Sequence, residues 1–507
     1  MKRGKLLFNT VILTVSSLAV RALGLLFKIF ISNKIGAEGV GLFQLIFSVY
    51  FLFITIVTAG ISLGVTRMVS EKIASQNEKA ISRIMRGCMG FSVATGLFCT
   101  VIMYLGAELI CAYWIRDIRC INAVKVLSLS LPFMAMASCL KGYFIGVRRV
   151  MKSSAVQVFE QISRIIIVVL LIGFFIPADI SFSLEIIAWG DTLSEIIAFI
   201  LLLSLYLGER KHNKSESSEI KFSPVKRLIG ICSPILTSSL ARSLLSSYEN
   251  ILIPHGLSKT GLSKEQSLSK YGALKGMTMP ILFFPSSILS AFSTLLVPEI
   301  TYYSAKNRWD KVSEIIKKVI KITFIMSFFI FIIFFSCGKG IGRLIYNNSD
   351  VSFFLVAVSP LVPLMYMESV VDGMLKALNQ QFYTMKYNLI DAFLRVGLMF
   401  FLVPLKGVYG LLIVMFISNF FTAILCLRRL IRVSGIEISY LRYIIKPFLC
   451  SICSIGVIKL MENKLPTIFY IGFAAIFGGI IYFIMLFVFG CMKKNDIDYF
   501  RGILKKK

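Results

Sequence analysis

Apolar runs of about twenty residues follow one another along nearly the whole chain, each long enough to cross roughly 30 Å of hydrocarbon as an α-helix. Inside lipid a backbone must satisfy its own N–H and C=O groups, so runs of this kind fold as helices. Fourteen are read, at 6–31, 41–66, 87–110, 122–147, 155–177, 184–207, 228–253, 273–298, 319–338, 351–375, 384–404, 407–427, 443–461 and 466–491. The expected fold is an all-α polytopic membrane protein of about 14 transmembrane helices. Composition agrees: 16% of the 507 residues are charged and 57% hydrophobic, where a soluble domain has about a quarter charged. Most loops are short; the longest expected are 208–227, 254–272 and 299–318.

The first residues, MKRGKLLFNTVILTVSSLAV, have the basic-then-apolar order of a secretory signal. No small-x-small cleavage site follows, and the apolar pattern continues through Arg21 to Ile31, so an uncleaved first span is expected.

The chain carries a formal net charge of +29. With the N-terminus inside, the inner segments hold about 36 Lys/Arg and the outer ones about 12, which predicts cytoplasmic N- and C-termini by the positive-inside rule. The basic balance therefore reads as topology and attraction to anionic lipid. No basic soluble domain exists to bind nucleic acid. Only two histidines occur, His212 and His255, both in expected loops, which argues against a histidine metal centre or catalytic triad. The eleven cysteines lie mostly in apolar runs, and the C-x-x-C at 450–453 has no second pair or nearby histidine; small core residues are the expected reading, with no metal and no cofactor.

Shifting the sequence by 231 places LPFMAMASCLKGYFIGVRRVMKSSAVQVFEQISR (131–164) on VPLMYMESVVDGMLKALNQQFYTMKYNLIDAFLR (362–395) without a gap. Pro132 meets Pro363, Met134 Met365, Met136 Met367, Ser138 Ser369, Gly142 Gly373 and Arg164 Arg395, while Glu160 meets Asp391. About two identities would arise from composition alone. At an offset of 221, Arg21 meets Arg242. This predicts two pseudo-symmetric six-helix lobes: an N-lobe at 1–207, a cytoplasmic linker at 208–227 and a C-lobe at 228–432, with two further spans and a cytoplasmic tail at 433–507. Parallel repeats of this kind are a transporter architecture, with substrate between the halves.

Charges inside these spans narrow the chemistry, because each costs about 2.5–3.5 kcal/mol at the bilayer centre unless it has a partner or a wet cavity. Glu160 and Arg164 stand one helical turn apart, as do Asp391 and Arg395. They read as structural or gating ion pairs, with Glu160 reaching the inner interface as an alternative. Arg21 and Arg242 have no carboxylate three or four residues away in their own helices. With Lys28 they are candidates to line a cationic central cavity, although Lys28 can instead snorkel to the outer interface. Arginine forks match phosphate oxygens, so the expected substrate is anionic. Asp191 and Glu195, again one turn apart, and Glu249 are candidates for coupling a cation, with Na⁺ and H⁺ both open. Lys141 and Asp372, at matched positions, are expected at the interface. Pro132, Pro363, Pro280 and Pro285 are expected to kink helices or free carbonyls.

Four stretches carry a family resemblance: KIGAEGVGLFQL (34–45), LKGYFIGVRRVMKSSAVQVFEQISR (140–164), LVPEITYYSAK (296–306) and FLVPLKGVYG (401–410). Together they resemble the stage V sporulation protein B group of polysaccharide and lipid-linked oligosaccharide flippases, in the multidrug/oligosaccharidyl-lipid/polysaccharide (MOP) exporter superfamily that includes MurJ-type lipid II flippases. Family members tend to have arginine where this chain has Lys141, which keeps the charge and loses the fork. The resemblance implies a V-shaped two-lobe fold and alternating access in a bacterial cell membrane. It implies a polyprenyl-diphosphate-linked sugar or peptidoglycan precursor as cargo, in cell-wall or spore-cortex synthesis, with membrane lipids and cell-wall polymerases as candidate partners. No covalent chemistry is implied. The alternative is a multidrug or cation exporter of the same superfamily, whose cavity should expose carboxylates more than arginines.

Overall fold

The computed structural model describes residues 3–75, 79–175, 179–212, 223–437, 439–461 and 466–491. Most of the expected linker and the last sixteen residues, with their terminal lysines, lie outside these. Among the described residues the chain is helical, with no strand. Contacts divide it into one unit of Met1–Gly272 with Val396–Gly407, and a second of Ala273–Arg395 with Val408–Lys507.

The first unit contains α1 (Arg3–Thr58), α2 (Ile61–Ala74), α3 (Lys79–Leu105), the single turn α4 (Ala107–Leu109), α5 (Ile121–Ser128), α6 (Leu131–Gly146), α7 (Val150–Phe174), α8 (Ile180–His212), α9 (Pro224–Ser258) and α10 (Lys264–Tyr271). The second contains α11 (Met279–Ala305), α12 (Trp309–Tyr346), α13 (Ser349–Val358), α14 (Val362–Ala377), most of α15 (Gln381–Ser434), α16 (Lys446–Lys459) and α17 (Thr467–Val488).

Ten described helices are long and apolar enough to cross a membrane, and two bent pairs raise this to twelve. Two of the ten are doubly long, because α1 and α15 each run through a break at a glycine. Gly36 (φ 71°, ψ 175°) and Gly407 (φ 56°, ψ −130°) occupy the left-handed side of backbone space, which a side chain would strain. Splitting both at those glycines is consistent with fourteen crossings. Two expected loops prove largely helical. Residues 254–272 hold the end of α9 and all of α10, which Ser263 and Gln266 start with a capping box. Residues 299–318 hold only a three-residue break, and His255 lies on α9.

The repeat is deeper than the sequence match. Helices α6 and α14 each span sixteen residues and begin 231 apart, as do α7 and α15. Arg148 (φ 61°) and Asn379 (φ 57°) close α6 and α14 in the same left-handed turn. After it, the N–H of Arg149 donates to Phe144 O at 2.9 Å and that of Gln380 donates to Leu375 O at 2.9 Å. Arg116 (φ 61°) and Asn347 (φ 48°) form another such couple. Across helices, Ser70 Oγ donates to Gly146 O at 3.2 Å, and Thr301 Oγ1 donates to Ala377 O at 3.1 Å. All these partners are 231 positions apart, so the copy reaches back at least to residue 70.

The matched prolines do not kink helix interiors. Pro132 and Pro363 sit in the first turns of α6 and α14, where a missing N–H breaks no helical bond. The segments 118–128 and 131–146 bend by 42° just before Pro132. Pro280 likewise starts α11, while Pro285 lies inside it.

Candidate functional site

Helices α7 and α8 pack side by side, and their ionisable residues converge on Arg164. Its Nε lies 2.7 Å from Asp191 Oδ1, and its Nη2 lies 3.2 Å from Glu195 Oε1 and 3.3 Å from Glu160 Oε1. Arg164 Nε also donates to Ser194 Oγ at 3.2 Å, and Nη1 to Gln161 Oε1 at 3.2 Å. Lys141, from α6, reaches Glu160 at 3.5 Å. Two cations thus hold three carboxylates, and Asp191 and Glu195 are buried. A guanidinium can satisfy this many acceptors because its donors are fixed in a planar fork. The sequence reading kept Glu160/Arg164 and Asp191/Glu195 apart; the structure joins them. The signal was present, since both sets have i, i+4 spacing on consecutive antiparallel helices with a short connection. Lys141, expected at the interface, belongs to this cluster.

The matching pair in the second unit lies along one helix. Arg395 Nε is 3.1 Å from Asp391, and Ser418 Oγ donates to the same carboxylate. At the repeat positions of Asp191 and Glu195 stand Thr422 and Cys426. Asp372, matched to Lys141, pairs instead with Lys376 at 2.6 Å. Among the described residues, no group of three or more His, Cys, Asp or Glu is arranged to hold a metal ion.

A second feature of the first unit is a polar groove of about 610 Å³ between the later part of α1 and α9. From α1 it takes Gln44, Ser48, Phe51, Thr55 and Thr58, whose spacing of three and four marks one helix face. From α9 it takes Ser239, Arg242, Ser243, Ser246, Ser247 and Asn250, again one face. Phe47 and Ala59 complete the wall. Arg242 is the one charged residue in this lining, and no carboxylate shares it. Ser247 Oγ donates to Ser48 O and ties the two helices together. Ser243 Oγ is buried without a hydrogen-bond partner, an arrangement that costs free energy unless a polar ligand or water completes it. Sequence reasoning found Arg242 but missed the hydroxyl stripe around it, although SSLARSLLSSYEN spells it out.

Arg21 and Lys28 are exposed on the first part of α1 and do not line the groove. They share a helix face with Gly24, whose missing Cβ would lie 3.9 Å from Gln161 Nε2, so this face passes the rim of the Arg164 cluster. Glu249 is buried on α9 and engaged in interactions of its own.

In the same unit, Asp117 pairs with two cations, and one of them also reaches a second carboxylate. Arg119 Nη2 lies 2.9 Å from Asp117 and 2.8 Å from Glu38, just past the Gly36 break, and Lys264 of α10 lies 3.1 Å from Asp117. Burial works to raise the Asp117 pKa, but the hydrogen bonds and charges of Arg119 and Lys264 outweigh it and hold the carboxyl below its ordinary value. Nearby, Arg116 Nη1 lies 2.9 Å from His255 Nδ1.

Comparison with known proteins places this geometry among transport folds. A family model described as polysaccharide biosynthesis protein matches residues 6–304. Stage V sporulation protein B of Bacillus subtilis (strain 168) is 24% identical over 514 residues, covering 98% of each chain. Among solved structures, lipid II flippase MurJ in an inward closed conformation aligns with a TM-score of 0.72 at 14% identity, over 94% of this chain and 98% of that one. A multidrug resistance MATE family transporter of the MOP superfamily, inward-facing, aligns with a TM-score of 0.65 at 14% identity, over 83% of this chain and 95% of that one. The structural likenesses establish the fold.

Proposed function

The chain belongs to the polysaccharide biosynthesis protein family, and from that premise we propose that it is a membrane flippase. Its cargo is a polyprenyl-diphosphate-linked sugar or peptidoglycan precursor, moved from the inner to the outer leaflet by alternating access. The observation that carries this reading is the groove between α1 and α9. It offers hydroxyl and amide groups suited to sugars, a single guanidinium suited to phosphate oxygens, and no carboxylate. The polyprenyl tail stays in lipid while the headgroup occupies the polar groove. In this reading both termini lie on the cytoplasmic side of a bacterial cell membrane, as the lysine and arginine bias of the sequence supports. The work belongs to cell-wall or spore-cortex synthesis, with cell-wall polymerases as downstream partners.

Arg21, Lys28 and Arg242 form the cationic set in this reading, with Arg242 in direct contact with cargo. Three carboxylates against two cations leave the Arg164 cluster one negative charge in excess when all are ionised. Asp191 and Glu195 are therefore where a proton or Na⁺ would couple to transport, and Arg164 is the group it would compete with.

A drug or cation exporter is the second reading, favoured by the likeness to a multidrug transporter. Against it stands the groove lining, whose one charged residue is the cation Arg242, which repels a cationic drug.

The test is headgroup accessibility of a fluorescent polyprenyl-diphosphate sugar in proteoliposomes. The wild type should move it to the far leaflet faster than empty vesicles. Equal rates overturn the flippase reading, and transport of a cationic dye in its place supports the exporter.

A further inference from the structure

A second, smaller cavity lies within the other unit, where α12 turns back into α13. It measures about 280 Å³ and is lined by Lys339, Arg343, Ser349, Phe353, Val356 and Ala357, with Ser352 at its back. Lys339 and Arg343 stand one turn apart on α12, both exposed, and neither is ion-paired among the described residues. No carboxylate lines the cavity. Opposite them is the first turn of α13, capped by Asn348, whose side chain accepts from the N–H of Val351. Ser352 Oγ donates to Lys339 O at 3.0 Å and pins that turn against α12.

The placement gives the cavity a direction. The apolar stretch of α12 ends at Gly338, so Lys339 and Arg343 sit at the boundary between hydrocarbon and water. Helix α13 starts at that boundary, and along it the lining changes from Ser349 to Phe353, Val356 and Ala357. The polar end thus has two cations and a hydroxyl, and the other end is apolar. A phosphate between an ammonium and a guanidinium, with an acyl chain leading away, fits both ends.

We propose that this cavity is a binding site for an anionic phospholipid, holding the phosphodiester of a phosphatidylglycerol-type headgroup between Lys339 and Arg343 and its chain along Phe353, Val356 and Ala357. It is separate from the groove on α1 and α9 and does not depend on the cargo assigned there. Its role is to seat a structural lipid at the α12–α13 turn.

The test uses the full-length protein in detergent, with lipid binding read by native mass spectrometry. The probes are phosphatidylglycerol and phosphatidylcholine of the same acyl chains. The wild type should retain a first phosphatidylglycerol more tightly than phosphatidylcholine. The double variant Lys339→Ala/Arg343→Ala should weaken that first affinity on the order of thirtyfold, two cations' worth of interfacial attraction. Ala357→Trp, which fills the apolar end without changing charge, should weaken it as well. Lys306→Ala/Arg308→Ala removes the same charge from another part of this unit and should leave the first affinity unchanged. Equal retention of both lipids, or equal losses in the two double variants, would overturn the site. Displacement by inorganic phosphate would make free phosphate the ligand, and preferential capture of polyprenyl diphosphate would make it a cargo site; either result overturns the phospholipid assignment.

Discussion

Arg164 bridges α7 to α8 through a 2.7 Å contact with Asp191, yet 231 residues later, beside Arg395, the position of Asp191 is held by Thr422. The two halves keep one ion pair in common and differ in what surrounds it. In the first unit the guanidinium is the common partner of three carboxylates. In the second it has Asp391 on its own helix, and Ser418 shares that carboxylate.

This difference predicts unequal costs for the same substitution. Arg164→Ala leaves buried carboxylates without their counter-charge and should destabilise the protein by about 3–5 kcal/mol. Arg395 is 34% exposed against 19% for Arg164, so its pair is less desolvated, and Arg395→Ala should cost about 1 kcal/mol or less. Thermal unfolding in detergent compares the two. Equal losses would mean that the extra carboxylates of α8 do not depend on Arg164.

The repeat also predicts a contrast between glycines. A Cβ on Gly142 would lie 2.6 Å from Ser62 O, a backbone atom that cannot turn aside. On Gly373, 231 residues on, it would meet Ser293 Oγ at 3.1 Å, a hydroxyl that can rotate. Gly142→Ala should therefore cost about 2–3 kcal/mol through overpacking, and Gly373→Ala less than about 1. The same melting experiment decides it, and a Gly373→Ala loss as large as that of Gly142→Ala would contradict the geometry.

How much of this could be read beforehand follows from what each feature needs of a side chain. Apolar runs must be apolar to enter lipid, so the spans were legible, as was the repeat where Pro132, Gly142 and Arg164 recur. The repeat continues through Arg116 with Asn347 and Ser70 with Thr301, where a backbone angle or a hydroxyl is kept but the residue changes. Identity counting does not see such matches. The Arg164 cluster was half legible: spacing along one helix showed each pair, while the meeting of α7 and α8 is a matter of packing. The groove was missed because serine and threonine in apolar runs also serve by bonding to their own helix, as Thr55 does to Phe51 O. Only the shared face of α1 and α9 separates the two uses.

Arg242 gives the sharpest functional prediction. It is exposed along the groove, so its removal should leave the melting temperature within about 1 °C, as for most surface changes. Removing one charge-assisted phosphate contact, worth about 1.5–3 kcal/mol, should reduce flipping of a polyprenyl-diphosphate sugar by roughly 10- to 100-fold. Arg242→Lys should fall between, since it keeps the charge without the fork. Proteoliposome transport with a melting control separates these outcomes, and normal transport by Arg242→Ala would remove the groove from the mechanism.

The Asp117 junction adds a pH signature. Its carboxyl is held below the ordinary value near 3.9, chiefly by Arg119 against the opposing effect of burial. A depressed carboxylate pKa gives stability that is present in full above the unfolded value and is lost as pH falls through the folded one. Asp117→Asn should therefore cost about 1–2 kcal/mol at pH 7, because it removes the charge that Arg119 and Lys264 share. The gap between wild type and variant should stay constant from pH 7 down to about 5, narrow below about 4, and vanish once the native carboxyl is protonated. Unfolding midpoints across that range measure it. A gap that persists unchanged to pH 2 would show that the asparagine acts through packing, and that the charge on Asp117 contributes nothing to holding α10 beside the Gly36 break.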